Sequence, residues 1–310
     1  MNWLVIVNKK AGNGNAGKLW ANTKDKLLDA KINFTTKLTE SPHQTKLLAL
    51  NALNQGFLGI IVYGGDGTVS DTAAAISTLE EKPLLAFIPT GSGNDWIKSI
   101  GFTSPSIDSS ISAIVKGNIK SVDTGMCSWE NGSKFFLNSA GIGFDAFVLK
   151  NAISLRKFIP LGSSIYLVTM IASALLPPHW RGVISSDRKD VYKGDYFSLT
   201  VGIGKYSGGG MILAPDAEPD DGLFDGLIIS PLNFFSILKC FPKIFNGTLA
   251  SQKQATATRG KTIEVEADSK SSIILEVDGE IVTLPKNLKK ISFSTTRHNL
   301  KVIAPNLGNQ

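Results

Sequence analysis

A chain of 310 residues exceeds one ordinary domain, so two are expected. Its 43% hydrophobic and 19% charged residues describe a globular protein rather than a disordered one, and a formal charge of +6 without a dense Lys or Arg run argues against nucleic acid while suiting an anionic ligand or surface. Only Cys127 and Cys240 are present, without Cys or His at ligand spacing, which argues against a disulfide scaffold or zinc site and makes a reducing, cytoplasmic compartment the default.

Met1 to Val7 is apolar but short, and Lys9 and Lys10 follow it, so it is expected to be a first strand and not a signal peptide. Strand-like and helical patterns then alternate: Ala16 to Ala30 helical, Phe34 to Leu38 extended, His43 to Gln55 helical, Ile60 to Tyr63 extended, Val69 to Leu79 helical, Leu84 to Ile88 extended. This rhythm predicts βαβ units and an α/β domain with a mostly parallel sheet. Such sheets bind ligands in loops beyond the carboxyl ends of their strands. Three Gly-rich loops take that position: Asn8 to Gly17, Gly64 to Thr68 and Pro89 to Asp95.

After about Ser121 the pattern changes to short strands with Gly, Asp and Asn turns, at Phe135 to Asn138, Phe197 to Gly202, Phe224 to Ile229, Ile263 to Ala267 and Ile273 to Val277. A second, mainly antiparallel β domain is expected. Helical patterns interrupt it at Ile165 to Leu176 and Asn233 to Phe245, apolar enough to be sticky where exposed. The longest apolar stretch, Ile165 to Leu176, falls short of the ~20 residues that span a bilayer.

Each motif has a plain reading beside the chemical one. Gly12, Gly14 and Gly17 fit a dinucleotide spacing, and Gly12, Gly17 and Lys18 most of a P-loop, but Leu19 lacks the hydroxyl a P-loop needs and Asn8 to Ala11 separate the glycines from the strand. A Gly-Asn turn opening a helix is the plain alternative. Gly64-Gly65-Asp66-Gly67-Thr68 joins a strand directly to a helix, so its backbone can approach a polyphosphate while Asp66 meets a magnesium ion or nucleotide hydroxyl. Otherwise Asp66 is a turn residue and Thr68 a helix cap. In Pro89 to Asp95, Asn94 or Asp95 is positioned to cap a helix starting at Trp96. The acids of Ala217 to Leu223 are a solvated turn or an oxygen-rich magnesium site. Asp278-Gly279, between two apolar alternations, predicts a two-residue hairpin with Glu280 just beyond it. His43, His179 and His298 form no cluster and receive no role.

Gly64 to Thr68 with Pro89 to Asp95 resembles the catalytic-domain family of diacylglycerol kinases, bacterial lipid kinases and sphingosine kinases. Asn8 to Gly14, Phe136 to Asp145, Gly208 to Asp225 and Val277 to Glu280 resemble further family signatures in order, so the resemblance covers nearly the whole chain. Lys9 stands where the family usually has Pro, and Ser70 and Asp71 where it usually has Asn and Glu.

The resemblance implies ATP and Mg2+ as cofactors and phosphoryl transfer to a lipid hydroxyl. It maps nucleotide contacts to Asn8, Lys9, Lys10, Ala11, Gly12, Thr39, Gly65, Asp66, Gly67, Thr68, Val69, Ser70, Asp71 and Ser92, and a structural magnesium site to Asp221 with main-chain oxygens of Glu218 and Leu223. It makes Glu280 the base that takes the hydroxyl proton across an interdomain cleft, with Asp66 placing the nucleotide magnesium. The implied domains are 1–122 for nucleotide and 123–295 for lipid, with 296–310 returning to the first. The implied partners are a membrane lipid substrate and an anionic membrane surface met peripherally through apolar helices and Arg156, Lys157, Lys239 and Lys243; a homodimer is compatible. Two alternatives stay open. One is an NAD kinase, whose family has a similar Gly-Gly-Asp-Gly-Thr loop; the other is a nucleotide-binding regulator without turnover.

Overall fold

The computed structural model describes residues 1–156, 164–175, 177–268 and 272–305. The chain divides into two compact units. One comprises Met1–Thr124, Pro219–Asp221 and the residues from Thr296 onward; the other comprises Gly125–Glu218 and Gly222–Thr295. The division thus falls two residues after the expected position, and the centre of the acidic turn groups with the first unit. Lys157, Leu176 and residues 306–310, all invoked above, lie outside the described residues.

The first unit runs β1 (Asn2–Val7), α1 (Asn15–Asp29), β2 (Asn33–Leu38), α2 (Pro42–Leu50), β3 (Gly59–Gly64), α3 (Asp66–Ile76), β4 (Leu84–Pro89), α4 (Asp95–Ser99) and α5 (Ile107–Lys116). Its sheet has the order β2-β1-β3-β4, all parallel, and Val302 of the last strand continues it beside Leu85 of β4. Every residue of β3 and β4 is buried, the pattern of parallel strands covered on both faces, whereas edge strand β2 is largely exposed. Since β1 lies between β2 and β3, successive connections leave it on opposite sides, and the chain reverses at its carboxyl end. Open α/β sheets bind ligands at such a point.

Local chemistry sets the helix limits. α2 ends at Leu50, five residues before its expected end, and a short 3₁₀ turn at Leu53–Gln55 closes on Gly56 in the left-handed region. α5, absent from the expected elements, begins with a reciprocal cap between Ser106 and Ser109 and buries Ile111, Ala113 and Ile114 on one face.

The second unit takes over within β5 (Ile119–Trp129) and continues through β6 (Gly132–Phe136), β7 (Ser139–Gly143), α6 (Phe144–Arg156), α7 (Ser164–Leu175), β8 (Trp180–Ser186), β9 (Lys189–Tyr196) and β10 (Ser198–Gly202). There follow β11 (Tyr206–Ser207), β12 (Met211–Ile212), β13 (Phe224–Ile229), α8 (Phe234–Cys240), β14 (Ala255–Gly260), β15 (Thr262–Ala267), β16 (Leu275–Val277), β17 (Glu280–Val282) and the start of β18 (Lys290–Ile303). An antiparallel sheet of order β14-β13-β10-β7-β16-β17 forms its centre, and a second antiparallel set joins β9, β8, β15 and the start of β18. Phe136 stacks on Phe224 at 5.6 Å and Phe144 on Phe197 at 4.2 Å within the core. Both cysteines are free, and burial pushes the Cys127 thiol up to about 12, so it stays protonated as a core residue.

Candidate active site

The three glycine loops follow β1, β3 and β4, and they knit to one another. Asn8 donates from Nδ2 to Thr68 Oγ1 at 3.0 Å, joining the first loop to α3. Gly12, at φ +58°, lies so close to the third loop that a Cβ there would come within 2.2 Å of the Thr90 carbonyl. A Cβ on Gly91 would meet the Cα of Gly65 at 2.9 Å. The glycines therefore let three backbones converge beside exposed Lys9 and Lys10, as polyphosphate recognition requires.

Asp66 supplies the strongest link. It opens α3, and its carboxylate accepts the Asn94 N–H at 2.6 Å and the Trp96 N–H at 3.4 Å. The expected cap of the helix at Trp96 is corrected accordingly: α4 begins at Asp95, Asn94 is left-handed and gives no side-chain cap, and Asp66 satisfies these donors from another loop. Likewise α3 begins at Asp66 rather than near Val69, so Thr68 lies within its first turn and is not its cap. In the third loop Thr90 Oγ1 and Asn94 Oδ1 are buried without a protein partner, as atoms facing a ligand or water would be.

The other nucleotide-contact candidates fall on the same unit in different settings. Gly67 is exposed in the first turn of α3 and Ser92 in the third loop, Gly65 and Ala11 are half-buried, and Ser70 is half-buried on α3. Val69 is fully buried, so its side chain belongs to the core. Thr39 is also buried, with its hydroxyl on the Ser41 carbonyl at 3.0 Å and the Thr45 hydroxyl at 2.9 Å, tying β2 to α2. Asp71 pairs with Lys46 at 3.2 Å. Asp95 was read only as a cap; it is buried at the head of α4 with Lys98 Nζ at 3.4 Å. A second acid following Gly-Ser-Gly-Asn was the signal available.

In the second unit, Asp278 and Gly279 have φ of +48° and +79° and connect β16 to β17 with Val277 opposite Glu280. This is the predicted two-residue hairpin, and Glu280 begins its second strand, half exposed and 3.1 Å from Lys134 Nζ. Two further carboxyls hold the turn. Asp278 accepts the N–H groups of Leu137, Asn138 and Ser139 at 2.8, 2.9 and 3.1 Å, and Glu276 accepts that of Gly279 at 2.9 Å. Burial pushes the Glu276 carboxyl up to about 8, with the charges of Asp145 and Asp278 adding to the effect, and pushes Asp145 up to about 6. Glu276 thus keeps a proton at neutral pH.

Of the acidic turn, Glu218 is paired with Lys205 at 3.4 Å. Pro219 accepts the Asp123 N–H at 2.7 Å, while Asp220 is held by Lys120 at 3.3 Å and by His298 Nε2, 2.9 Å from its carbonyl. His298, which the sequence left without a role, therefore steadies this segment. Asp221 and Leu223 each have bonded partners. Among the described residues no three His, Cys, Asp or Glu side chains gather around one point, and the expected set, with one side-chain carboxylate and two main-chain oxygens, would not form such a group.

Residues 2–127 match the family described as diacylglycerol kinase catalytic domain, and residues 138–297 match the YegS C-terminal NAD kinase beta sandwich-like domain. The chain belongs to the diacylglycerol kinase catalytic-domain family. It is 27% identical over 308 residues to a diacylglycerol kinase of Mycobacterium tuberculosis (strain ATCC 25618 / H37Rv), covering 98% of this chain and 95% of the relative. It is 30% identical over 228 residues to a Pseudomonas putida (strain KT2440) protein named "Probable lipid kinase YegS-like", covering 73% and 72%. Its fold matches the crystal structure of a diacylglycerol kinase from Bacillus anthracis str. Sterne with a TM-score of 0.72 at 22% identity, covering 98% of this chain and 97% of that one. This lipid-kinase family membership agrees with the order of motifs along the whole chain. No helix among the described residues is long and apolar enough to cross a membrane.

Proposed function

We propose that this member of the family is an ATP-dependent lipid kinase that transfers the γ-phosphate of ATP to the hydroxyl of a diacylglycerol or related lipid. The observation that carries the reading is the convergence of three glycine loops at the carboxyl ends of β1, β3 and β4, locked by Asn8 on Thr68 and by Asp66 on Asn94 and Trp96. Phosphoryl transfer rests mainly on positioning and electrostatics, and a rigid backbone cradle beside lysines supplies both.

In this reading Asn8 to Gly12 and Gly65 to Asp71 hold the phosphates, and the buried, unpartnered oxygens of Thr90 and Asn94 serve the nucleotide or its waters. Oxygen donors suit Mg2+, so Asp66 is assigned to the nucleotide's ion and Asp221, with main-chain oxygens of Glu218 and Leu223, to a structural one. Mg2+ would neutralise charge on the phosphates. Glu280 accepts the lipid hydroxyl proton as its oxygen attacks, and the hairpin anchored by Asp278 and Glu276 fixes where that carboxylate stands. NAD kinase and a silent regulator are less well supported, because the relatives matched over nearly the full chain are named as lipid kinases and Asp66, Asp221 and Glu280 are all present.

Incubation with γ-labelled ATP, Mg2+, NAD and a total lipid extract tests the reading. Label is expected in one organic-phase product carrying one added phosphate by mass spectrometry. Label in NADP instead, or none in either phase, would overturn it.

A further inference from the structure

We propose that the outer faces of α7 and α8, in the second unit, form a docking surface for an anionic lipid bilayer; the assignment takes its biological sense from the lipid-kinase reading, but its test does not depend on turnover. A soluble helix ordinarily turns its apolar stripe inward. Here both helices carry a second stripe outward. On α7, Val168, Ile171, Ala172 and Leu175 are exposed at i, i+3, i+4 and i+7, while Met170 and Ala174 are buried. On α8 and the turn after it, Phe235, Leu238, Lys239 and Pro242 are exposed at the same spacing, and Phe245 follows. Phe235 is 71% exposed and Leu175 63%, far beyond what a folded core leaves at such side chains.

The two stripes share one side of the unit. α7 and α8 pack on each other, and their inner faces, through Met170 from one and Ile237 and Cys240 from the other, line the same apolar pocket. Their opposite faces are therefore turned outward together. Contiguous exposed apolar surface of this kind marks a protein or membrane contact.

Charge decides between these. The chain has 26 acidic residues, yet none lies between Asp145 and Asp187 or between Asp225 and Glu264, the two stretches that contain α7, α8 and all of α6 beyond its second residue. On the helices these stretches place Lys150 and Lys239 and, just beyond α8, Lys243, whereas Arg181 and Arg259 lie on strands and pair with Asp195 and Asp225. Lys239 is exposed within the α8 stripe, and Lys243 lies beside it, bonded to Gln252. A pairing surface for a second copy would gain from charges of both signs. A surface that is apolar, cationic and free of acids fits an anionic leaflet, with aromatic and aliphatic side chains entering the headgroup boundary and lysines at its rim.

The test is sedimentation of the full chain with vesicles of phosphatidylcholine alone or mixed with phosphatidylglycerol, without nucleotide. The expected result is stronger binding to the mixed vesicles. Phe235→Ser with Leu238→Ser should weaken it roughly tenfold, and Ile171→Ser with Leu175→Ser should do the same. Lys239→Glu should lower binding to the mixed vesicles about tenfold and leave binding to phosphatidylcholine alone unchanged. Exposed positions make these variants fold, which thermal melting checks. Three results would overturn the proposal: wild type that binds neither vesicle, variants that sediment like wild type, or a wild-type dimer that the variants dissociate without changing vesicle binding. Binding through this face by a chain that phosphorylates no lipid would instead end the lipid-kinase reading and leave the docking surface standing.

Discussion

The two units fix their candidate catalytic carboxylates in opposite ways. In the first, Asp66 is itself an anchor of the structure, because both its oxygens accept backbone N–H groups from the neighbouring loop and its position follows from the βα topology. In the second, Glu280 is half exposed on a tight turn, and the structural work falls to Asp278 and Glu276, which take four backbone N–H groups between them. A site residue can thus be rigid because it is itself the anchor, or reactive because others anchor it. The first arrangement suits holding a nucleotide, the second suits accepting a proton.

The sharpest way to break this contrast is Glu280→Gln. The rate of lipid phosphorylation in a single turnover should fall about 10²–10⁴-fold while the melting temperature stays put, because the side chain carries chemistry and little structure. Asp278→Asn should show the converse, with stability lowered by about 2 kcal/mol in urea denaturation, since three backbone donors lose a charged acceptor. Turnover at saturating lipid should drop with it as Glu280 loses its fixed place. Gly12→Ala should cost about 1–2 kcal/mol, from a positive φ and a clash with the Thr90 carbonyl, and should weaken ATP binding measured by calorimetry.

A further test of the second unit concerns pH. The Glu276 carboxyl sits at about 8 in the folded protein against an ordinary 4.5, so between these values the native state binds the extra proton. The stability it contributes is complete below about 4.5 and is lost as the pH rises through about 8. The slope from this group is at most about 1.4 kcal/mol per pH unit. Melting temperature should therefore decline toward pH 8, and Glu276→Gln should flatten that decline; equal slopes would show that the proton is not held there.

The fold was legible wherever local pattern and topology coincide. Strands β1, β3 and β4 are buried apolar runs, and the loops after them had to lie together once the sheet was parallel. The Asp278-Gly279 turn announced itself because only a few residue pairs tolerate two positive φ values. What could not be read were interactions between residues distant in sequence: Asp66 capping α4 across 28 positions, Asp278 reaching the backbone at 137–139, and His298 holding Asp220. Bonds from a carboxylate to distant backbone donors carry no signature in the pattern of residue types. α5 is the opposite case: a local cap between Ser106 and Ser109 is followed by Ile111 and Ile114 on one buried face, so its signal lay within the sequence itself.

The division of labour between the units is tested most directly by equilibrium binding of ATP with Mg2+ to two charge-removing variants, Asp66→Asn and Glu280→Gln, measured by calorimetry beside the wild type. Asp66→Asn should lose at least tenfold in affinity, because the second and third loops lose the carboxylate that joins them and the nucleotide's ion loses its assigned acid. Glu280→Gln should bind ATP as the wild type does. Undiminished binding by Asp66→Asn, or an equal loss in Glu280→Gln, would contradict the account.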